Sequence, residues 1–251
     1  MPVYELFTNQ AMDPIPAGVR CDDLVQATRI RGTDPVSGTL PATIEDQLKN
    51  CYANMRICIE GAGGSMANVA HVSMFFADFQ RDREAMNPPW VDTFPDDVDR
   101  PTYKFMPAPL PHGHLVQMEF HAVLGQRRTL LAVPGVAHTN PIPLGVKMGS
   151  YVFSSRMLPY DPATEKAADG APAQARFLFQ NCDALLKAGG ADWSDVWQAR
   201  AFLADLAHST LFEEQWNARF PDPDSRPPVN TVKYGGGALQ IMVEIFARKQ
   251  E

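Results

Sequence analysis

The sequence predicts an α+β protein built from two copies of one module, each a mixed β-sheet with two helices packed on one face. Three observations carry this expectation. Residues recur in order at about half the chain length, helical and strand periodicities alternate in the same succession in both halves, and glycines and prolines close the elements at matching places. Gln47 and Gln174 lie 127 positions apart, and the same offset pairs Asp34-Pro35 with Asp161-Pro162, Asn54 with Asn181, Val69 with Val196 and Asp78 with Asp205. The offset becomes 126 for Trp90 and Trp216, Phe94-Pro95-Asp96 and Phe220-Pro221-Asp222, and Arg100-Pro101 and Arg226-Pro227; it is 125 for Glu119 and Glu244. Two single-residue slips are ordinary loop differences. The junction Gly125-Gln126-Arg127-Arg128 is short and polar, which puts the modules at residues 1–126 and 127–251.

Each module opens on a hairpin, near Leu24 to Arg29 and near Tyr151 to Arg156. A helix follows. In the first copy Thr43 can cap it, with Asp46 answering three residues later. Ile44, Leu48, Cys51, Met55 and Ile59 then recur at helical spacing until Gly61, Gly63 and Gly64 stop the run. In the second copy Leu178, Cys182 and Leu185 form the stripe and Gly189-Gly190 end it. Alternation through Ala70, Val72, Met74 and Phe76, and through Trp197, Ala199, Ala201 and Leu203, predicts a strand after each helix. A second short helix carries Trp90 or Trp216, and the Phe-Pro-Asp run after each is a helix exit. Two closing strands complete each copy, the last over Leu115 to Val123 and Leu239 to Ala247. Helices on one sheet face leave the other to be buried against something else, so a homo-oligomer is expected.

Composition narrows the function classes. Across 251 residues, 45% are hydrophobic, 20% charged, and the net charge is −7, the profile of a globular protein without the clustered Lys and Arg that nucleic acid requires. No apolar run approaches the roughly 20 residues of a membrane-spanning helix. The opening Met1 to Phe7 lacks the basic start and long apolar core of a signal peptide, so a cytoplasmic location is expected. Cys21, Cys51, Cys58 and Cys182 form no CxxC pair, and Cys51 and Cys58 fit core positions of a helix.

Asp23-Leu24-Val25, Asp34-Pro35, Gln47, the Gly63-Gly64 turn, Phe76-x-Asp78, Phe94-Pro95 and the Leu110-Pro111…Met118-Glu119 ending together resemble the RidA-like (YjgF, reactive intermediate deaminase) family. The frame returns from Tyr151-Val152-Phe153-Ser154-Ser155 through Val243-Glu244, so the resemblance covers nearly the whole chain twice. It implies a chorismate-mutase-like fold that assembles into trimers, with ligand clefts between neighbouring modules. It also implies hydrolysis of enamines and imines to a keto acid and ammonia, without metal or organic cofactor. Two modules per chain then fit a homotrimer with two stacked rings.

Two departures set the site expectations. The family's carboxylate-binding arginine falls on Thr102 in the first copy and on Pro227 or Pro228 in the second, none of which can hold a carboxylate ionically. Relatives usually read Ser-Gly after the second strand, whereas this chain reads Thr28-Arg29 and Ser155-Arg156. Arg29 and Arg156, each beside the hydroxyl of Thr28 or Ser155, are therefore candidates for anion recognition; solvated strand-end arginines are the plainer reading. Glu119 and Glu244 are candidate catalytic groups that position a hydrolytic water, against the plainer reading of ion-paired strand glutamates. Tyr103 and Tyr234 can donate to a substrate carbonyl or simply pack. His138 and Asn140, in the proline-rich stretch from Pro134 to Pro143, can line the second cleft or lie in a surface loop.

His112, His114 and His121 suggest a metal site only weakly, because two of them flank Gly113 in a turn and the second copy has no such pair. Gly235-Gly236-Gly237 precedes a strand, so a tight turn is expected there and not a phosphate loop. The expected function is hydrolytic deamination of a small imine, enamine or aminomuconate-like carboxylate, in a dedicated catabolic step. The alternatives are a non-catalytic small-ligand-binding or regulatory protein, and a hydrolase of another small acid.

Overall fold

The computed structural model describes residues 3–8, 13–234 and 236–250. The chain divides into two compact units, Met1–Arg128 and Thr129–Glu251. The division falls at the end of the polar junction, two residues past the expected boundary, for a physical reason. The Arg128 guanidinium is buried within the first unit, where it bonds both Asp99 carboxylate oxygens at 3.0 Å and the carbonyls of Met66 and Val69 at 3.1 and 2.6 Å.

The first unit runs β1 (Val3–Leu6), β2 (Gly18–Cys21), β3 (Leu24–Arg31), α1 (Ile44–Gly61), β4 (Val69–Phe76), α2 (Phe79–Asp82), α3 (Asn87–Thr93), β5 (Thr102–Pro107) and β6 (Val116–Val123). Its six-stranded sheet has the order β1-β2-β3-β6-β4-β5, parallel only between β4 and β5. The second unit runs β7 (Thr129–Leu131), β8 (Gly145–Met148), β9 (Tyr151–Ser154), β10 (Tyr160–Asp161), β11 (Lys166–Ala167), α4 (Ala171–Gly189), β12 (Val196–Leu203), α5 (Ser209–Arg219), β13 (Val229–Lys233) and β14 (Ile241–Arg248). Its sheet order is β7-β8-β9-β14-β12-β13, again parallel only at β12 with β13. The two units share one topology. The outermost strands β1 and β7 and the small β10–β11 ribbon had no signal in the alternation of the sequence.

Local chemistry explains the elements. The Thr43 hydroxyl accepts the Asp46 N–H at 3.2 Å and donates to the Asp46 carboxylate at 2.8 Å, capping α1. Gly190 takes the left-handed C-cap of α4 at φ 73°, a conformation glycine reaches without a Cβ clash. The buried stripe Leu48, Cys51, Met55, Cys58 and Ile59 of α1 is matched by Leu178, Cys182, Leu185 and Leu186 of α4. Trp90 on α3 packs edge-on against Tyr103 of β5, and Trp216 on α5 packs edge-on against Trp193.

Most repeated polar residues hold the fold. Gln47 Nε2 donates to the carbonyls of Pro41 and Gly113 while its Oε1 accepts the Leu115 N–H. Gln174 does the same with Ala168, Ala238 and Gln240. Asn54 ties the carbonyls of Arg31 and Thr33, and Asn181 those of Leu158 and Tyr160. Each of these side chains replaces hydrogen bonds that its loop cannot make to itself.

One expectation needs correction. The alternation from Trp197 is interrupted there, because the β12–β14 register shifts between Val196 and Gln198, and the indole packs on Phe246 with ring centroids 5.6 Å apart. The first unit shifts at the same place, between Val69 and His71. A bulge, invisible to strict period-two reading, explains both.

Candidate functional site

A second register break positions the repeated hydroxyl–arginine pairs. Pairing of β3 with β6 shifts between Ala27 and Ile30, which throws Thr28 and Arg29 out of the ladder. In the second unit Phe153 pairs with Phe246 and pairing resumes at Met157 with Val243, which leaves Ser155 and Arg156 in the interruption. Bulges re-aim side chains in this way.

The two arginines meet different surroundings. In the first unit the Arg29 guanidinium donates to both carboxylate oxygens of Asp13, at 3.2 and 3.0 Å, and Arg31 lies 3.8 Å from the same carboxylate. Thr28 is exposed, and its carbonyl accepts from the Gln117 amide at 3.2 Å. In the second unit the Arg156 guanidinium lies over the Tyr234 ring at 4.5 Å and over Phe202 at 5.4 Å, and these two rings meet edge to face at 6.0 Å. Ser155 is fully buried; its N–H and its hydroxyl both donate to the Leu144 carbonyl, at 2.7 and 3.0 Å. His138 Nε2 stands 2.6 Å from that hydroxyl oxygen. With the serine hydrogen directed to Leu144, the proton on His138 is assigned to Nε2 and the lone pair to Nδ1. Burial, followed by the charge of Arg156, pushes His138 down to about 4, so its imidazole is neutral at pH 7.

The sequence carried a signal for this difference. At the 127-residue offset Asp13-Pro14-Ile15-Pro16 pairs with Asn140-Pro141-Ile142-Pro143, so an amide stands where Asp13 holds Arg29. His138 takes the place of Ala11, which lies outside the described residues.

The remaining candidates divide between the neighbourhood of Arg156 and the core. Tyr234 joins Arg156, whereas Tyr103 is buried, edge-packed on Trp90, with its hydroxyl 3.0 Å from Asn87 Oδ1. That is the packing alternative for Tyr103, since it faces the helices. Glu119 is half-buried opposite Ser73, and Glu244 is buried opposite Arg200 in the sheet register. Thr102, at the family's arginine position, is buried and lies 2.7 Å from His71 Nδ1, with its hydroxyl donating to the Ala70 carbonyl at 3.3 Å. Arg100 and Arg226 each donate Nε–H at 2.9 Å to the carbonyl of Phe94 or Phe220, and so hold the helix exits.

His112 and His114 sit in the turn before β6. No group of three or more His, Cys, Asp or Glu that could hold a metal ion occurs among the described residues. Burial pushes the Cys58 thiol up to about 12 and raises Cys51 and Cys182 further, which makes all three poor nucleophiles. Gly236 bridges Leu239 in a tight turn, while Gly235 lies outside the described residues. No helix among the described residues is long and apolar enough to cross a membrane.

Comparison with known proteins agrees with this frame. The family model described as Endoribonuclease L-PSP matches residues 137–248. A 2-iminobutanoate/2-iminopropanoate deaminase of Salmonella typhimurium is 32% identical over 121 residues, 48% of this chain and 94% of that protein. The chloroplastic Reactive Intermediate Deaminase A of Arabidopsis thaliana is 31% identical over 43% of this chain and 58% of its own length. Among solved structures, RidA from an Antarctic Psychrobacter is 25% identical with a TM-score of 0.45, covering 49% of this chain and all of that one. The repeated sequence frame, the repeated topology and the extent of the Salmonella match lead to one conclusion: the chain belongs to the RidA-like family, also described as Endoribonuclease L-PSP.

Proposed function

We propose that the protein is a hydrolytic deaminase of a small imine, enamine or aminomuconate-like carboxylate, and that its second unit provides the anion-binding cleft. The relatives named as imine deaminases support the reaction class. One observation carries the assignment of the cleft. Arg156 is presented on an aromatic ring beside Ser155 and His138, where the chain has Asn140 in place of the carboxylate that holds Arg29. A planar guanidinium grips a carboxylate by two parallel N–H bonds, and a partly buried setting strengthens them. Tyr234 supports the guanidinium by a cation–π contact worth on the order of 1 kcal/mol. With the carboxylate held, water attacks the C=N carbon and ammonia departs.

The test is ammonia release from a freshly generated 2-iminopropanoate-type substrate. Arg156→Ala is expected to lower kcat/KM about 100-fold, the loss of a charge-assisted two-point contact. Arg29→Ala should change it less than about threefold, because Asp13 already answers that cation. Equal losses in both variants would remove the assignment to the second unit. Silence in the unmutated protein would leave the non-catalytic binding reading, for which Arg156 on Tyr234 serves equally well. The assembly that fits this reading is a homotrimer of two-unit chains; a solution mass near three chains is expected, and a monomer would contradict it.

A further inference from the structure

The reading of the second unit as a deaminase leaves one group there without a role. His138 is joined to a fully buried serine on one side and is itself only half-buried. Ser155 is in turn fixed twice to the Leu144 carbonyl, through its N–H and its hydroxyl. The buried partner therefore orients the imidazole and sets its tautomer, and the other ring nitrogen, Nδ1, keeps the lone pair. Nucleophile-activating sites have this order: an inner group that holds the base, and a base that faces the reacting atom. Arg156, the sequence neighbour of Ser155, is close enough for its charge to act on the ring.

Resting on the deaminase reading, we propose that His138 is the general base of the second unit, taking the proton of the attacking water at Nδ1 while Ser155 holds its Nε2–H. The water oxygen forms a bond to the carbon of the protonated imine, the π pair moves to nitrogen, and one water proton passes to Nδ1. The resulting carbinolamine nitrogen takes that proton back. The C–N bond then breaks, its electron pair leaves with ammonia, and the remaining oxygen forms the carbonyl. Its last proton passes through His138 to the departing ammonia as ammonium. Water is the sole co-reactant. This assignment places the proton transfer on a half-buried side chain, whereas Glu244 is buried and faces Arg200 across the sheet.

The ring is neutral at pH 7 and so keeps a lone pair on Nδ1, although its lowered basicity makes it a weaker base than a free imidazole. His138 carries no counterpart in the first unit, where the 127-residue offset gives Ala11.

The experiment compares the full-length protein with His138→Ala and His138→Gln, with ammonia release measured over a range of substrate concentration. Gln retains an N–H that can reach Ser155 but has no basic nitrogen. Removal of a general base costs roughly 100-fold or more in kcat. Both variants are expected to lose that much, with KM within threefold of the unmutated value, and added imidazole should partly restore His138→Ala. A merely structural role predicts that His138→Gln keeps its kcat, and that outcome overturns the proposal. Unmutated turnover that both variants hold within threefold also overturns it, and leaves the deaminase reading standing. An unmutated chain that releases no ammonia overturns both together. Circular dichroism melts of each variant separate a loss of fold from a loss of chemistry.

Discussion

The two units share a sheet order, a bulge and a hydroxyl–arginine pair, yet they answer the arginine differently. In the first, Asp13 folds back onto Arg29 and supplies two carboxylate bonds at 3.2 and 3.0 Å. In the second, the same place in the chain is Asn140, Arg156 rests on Tyr234, and His138 is bonded to Ser155. A carboxylate within the unit can mimic a carboxylate ligand, so Asp13 occupies at Arg29 the kind of contact that the proposed function assigns to a substrate anion at Arg156. The difference teaches that the two copies keep the side chains that hold the module together and differ in what surrounds the repeated arginine.

The largest expected effect tests the preserved part. Gln47 and Gln174 each make three hydrogen bonds from a buried position, and substitution by Ala should cost about 2–4 kcal/mol, because buried carbonyls and an N–H are left unpaired. Urea unfolding should show similar losses for the two variants. A large loss in only one would break the equivalence of the units.

The clefts should then be interconvertible in part. Asn140→Asp puts the first unit's carboxylate beside Arg156 and is expected to lower kcat/KM about tenfold, as an internal anion competes with the substrate. Asp13→Asn should give a gain of a few-fold in anion affinity at Arg29, read by titration with a short keto acid. If Asn140→Asp leaves kcat/KM unchanged, the difference at that position is not what separates the clefts.

The smallest effect is a pH dependence confined to the second unit. His138 is held neutral in the fold, with its value lowered from 6.5 to about 4 by burial and by Arg156. Between those values the unfolded chain binds a proton that the folded chain refuses, so stability is full above pH 6.5 and falls as pH drops toward 4. His138→Gln should flatten that part of the curve in denaturant titrations at pH 7 and pH 5. An unchanged pH dependence would contradict the neutral state of the half-buried ring.

Much of the fold was legible because its determinants are local or repeated. The Thr43 cap, the stripe Leu48, Cys51, Met55 and Ile59, and the Gly189-Gly190 stop act through neighbouring residues, and the 127-residue offset marks the module twice. The bulge at Trp197 was not legible, since one extra residue in a strand leaves composition unchanged while it reverses facing. Arg29 and Arg156 stand out in the sequence because both copies carry an arginine beside a hydroxyl residue at the 127-residue offset. Tyr103 was not separable from Tyr234 in sequence, because side-chain direction depends on register, and only Tyr103 faces Trp90. The Asp13/Asn140 difference was present in the aligned Pro-Ile-Pro segments, but its meaning required the distance from Asp13 to Arg29.

The number of anion sites per chain tests the central claim most directly. Isothermal titration of the intact protein with pyruvate, a short keto acid, should give one site per chain, abolished by Arg156→Ala and retained in Arg29→Ala. Two equivalent sites per chain, or one that vanishes with Arg29→Ala and survives Arg156→Ala, would contradict the assignment of anion recognition to the second unit.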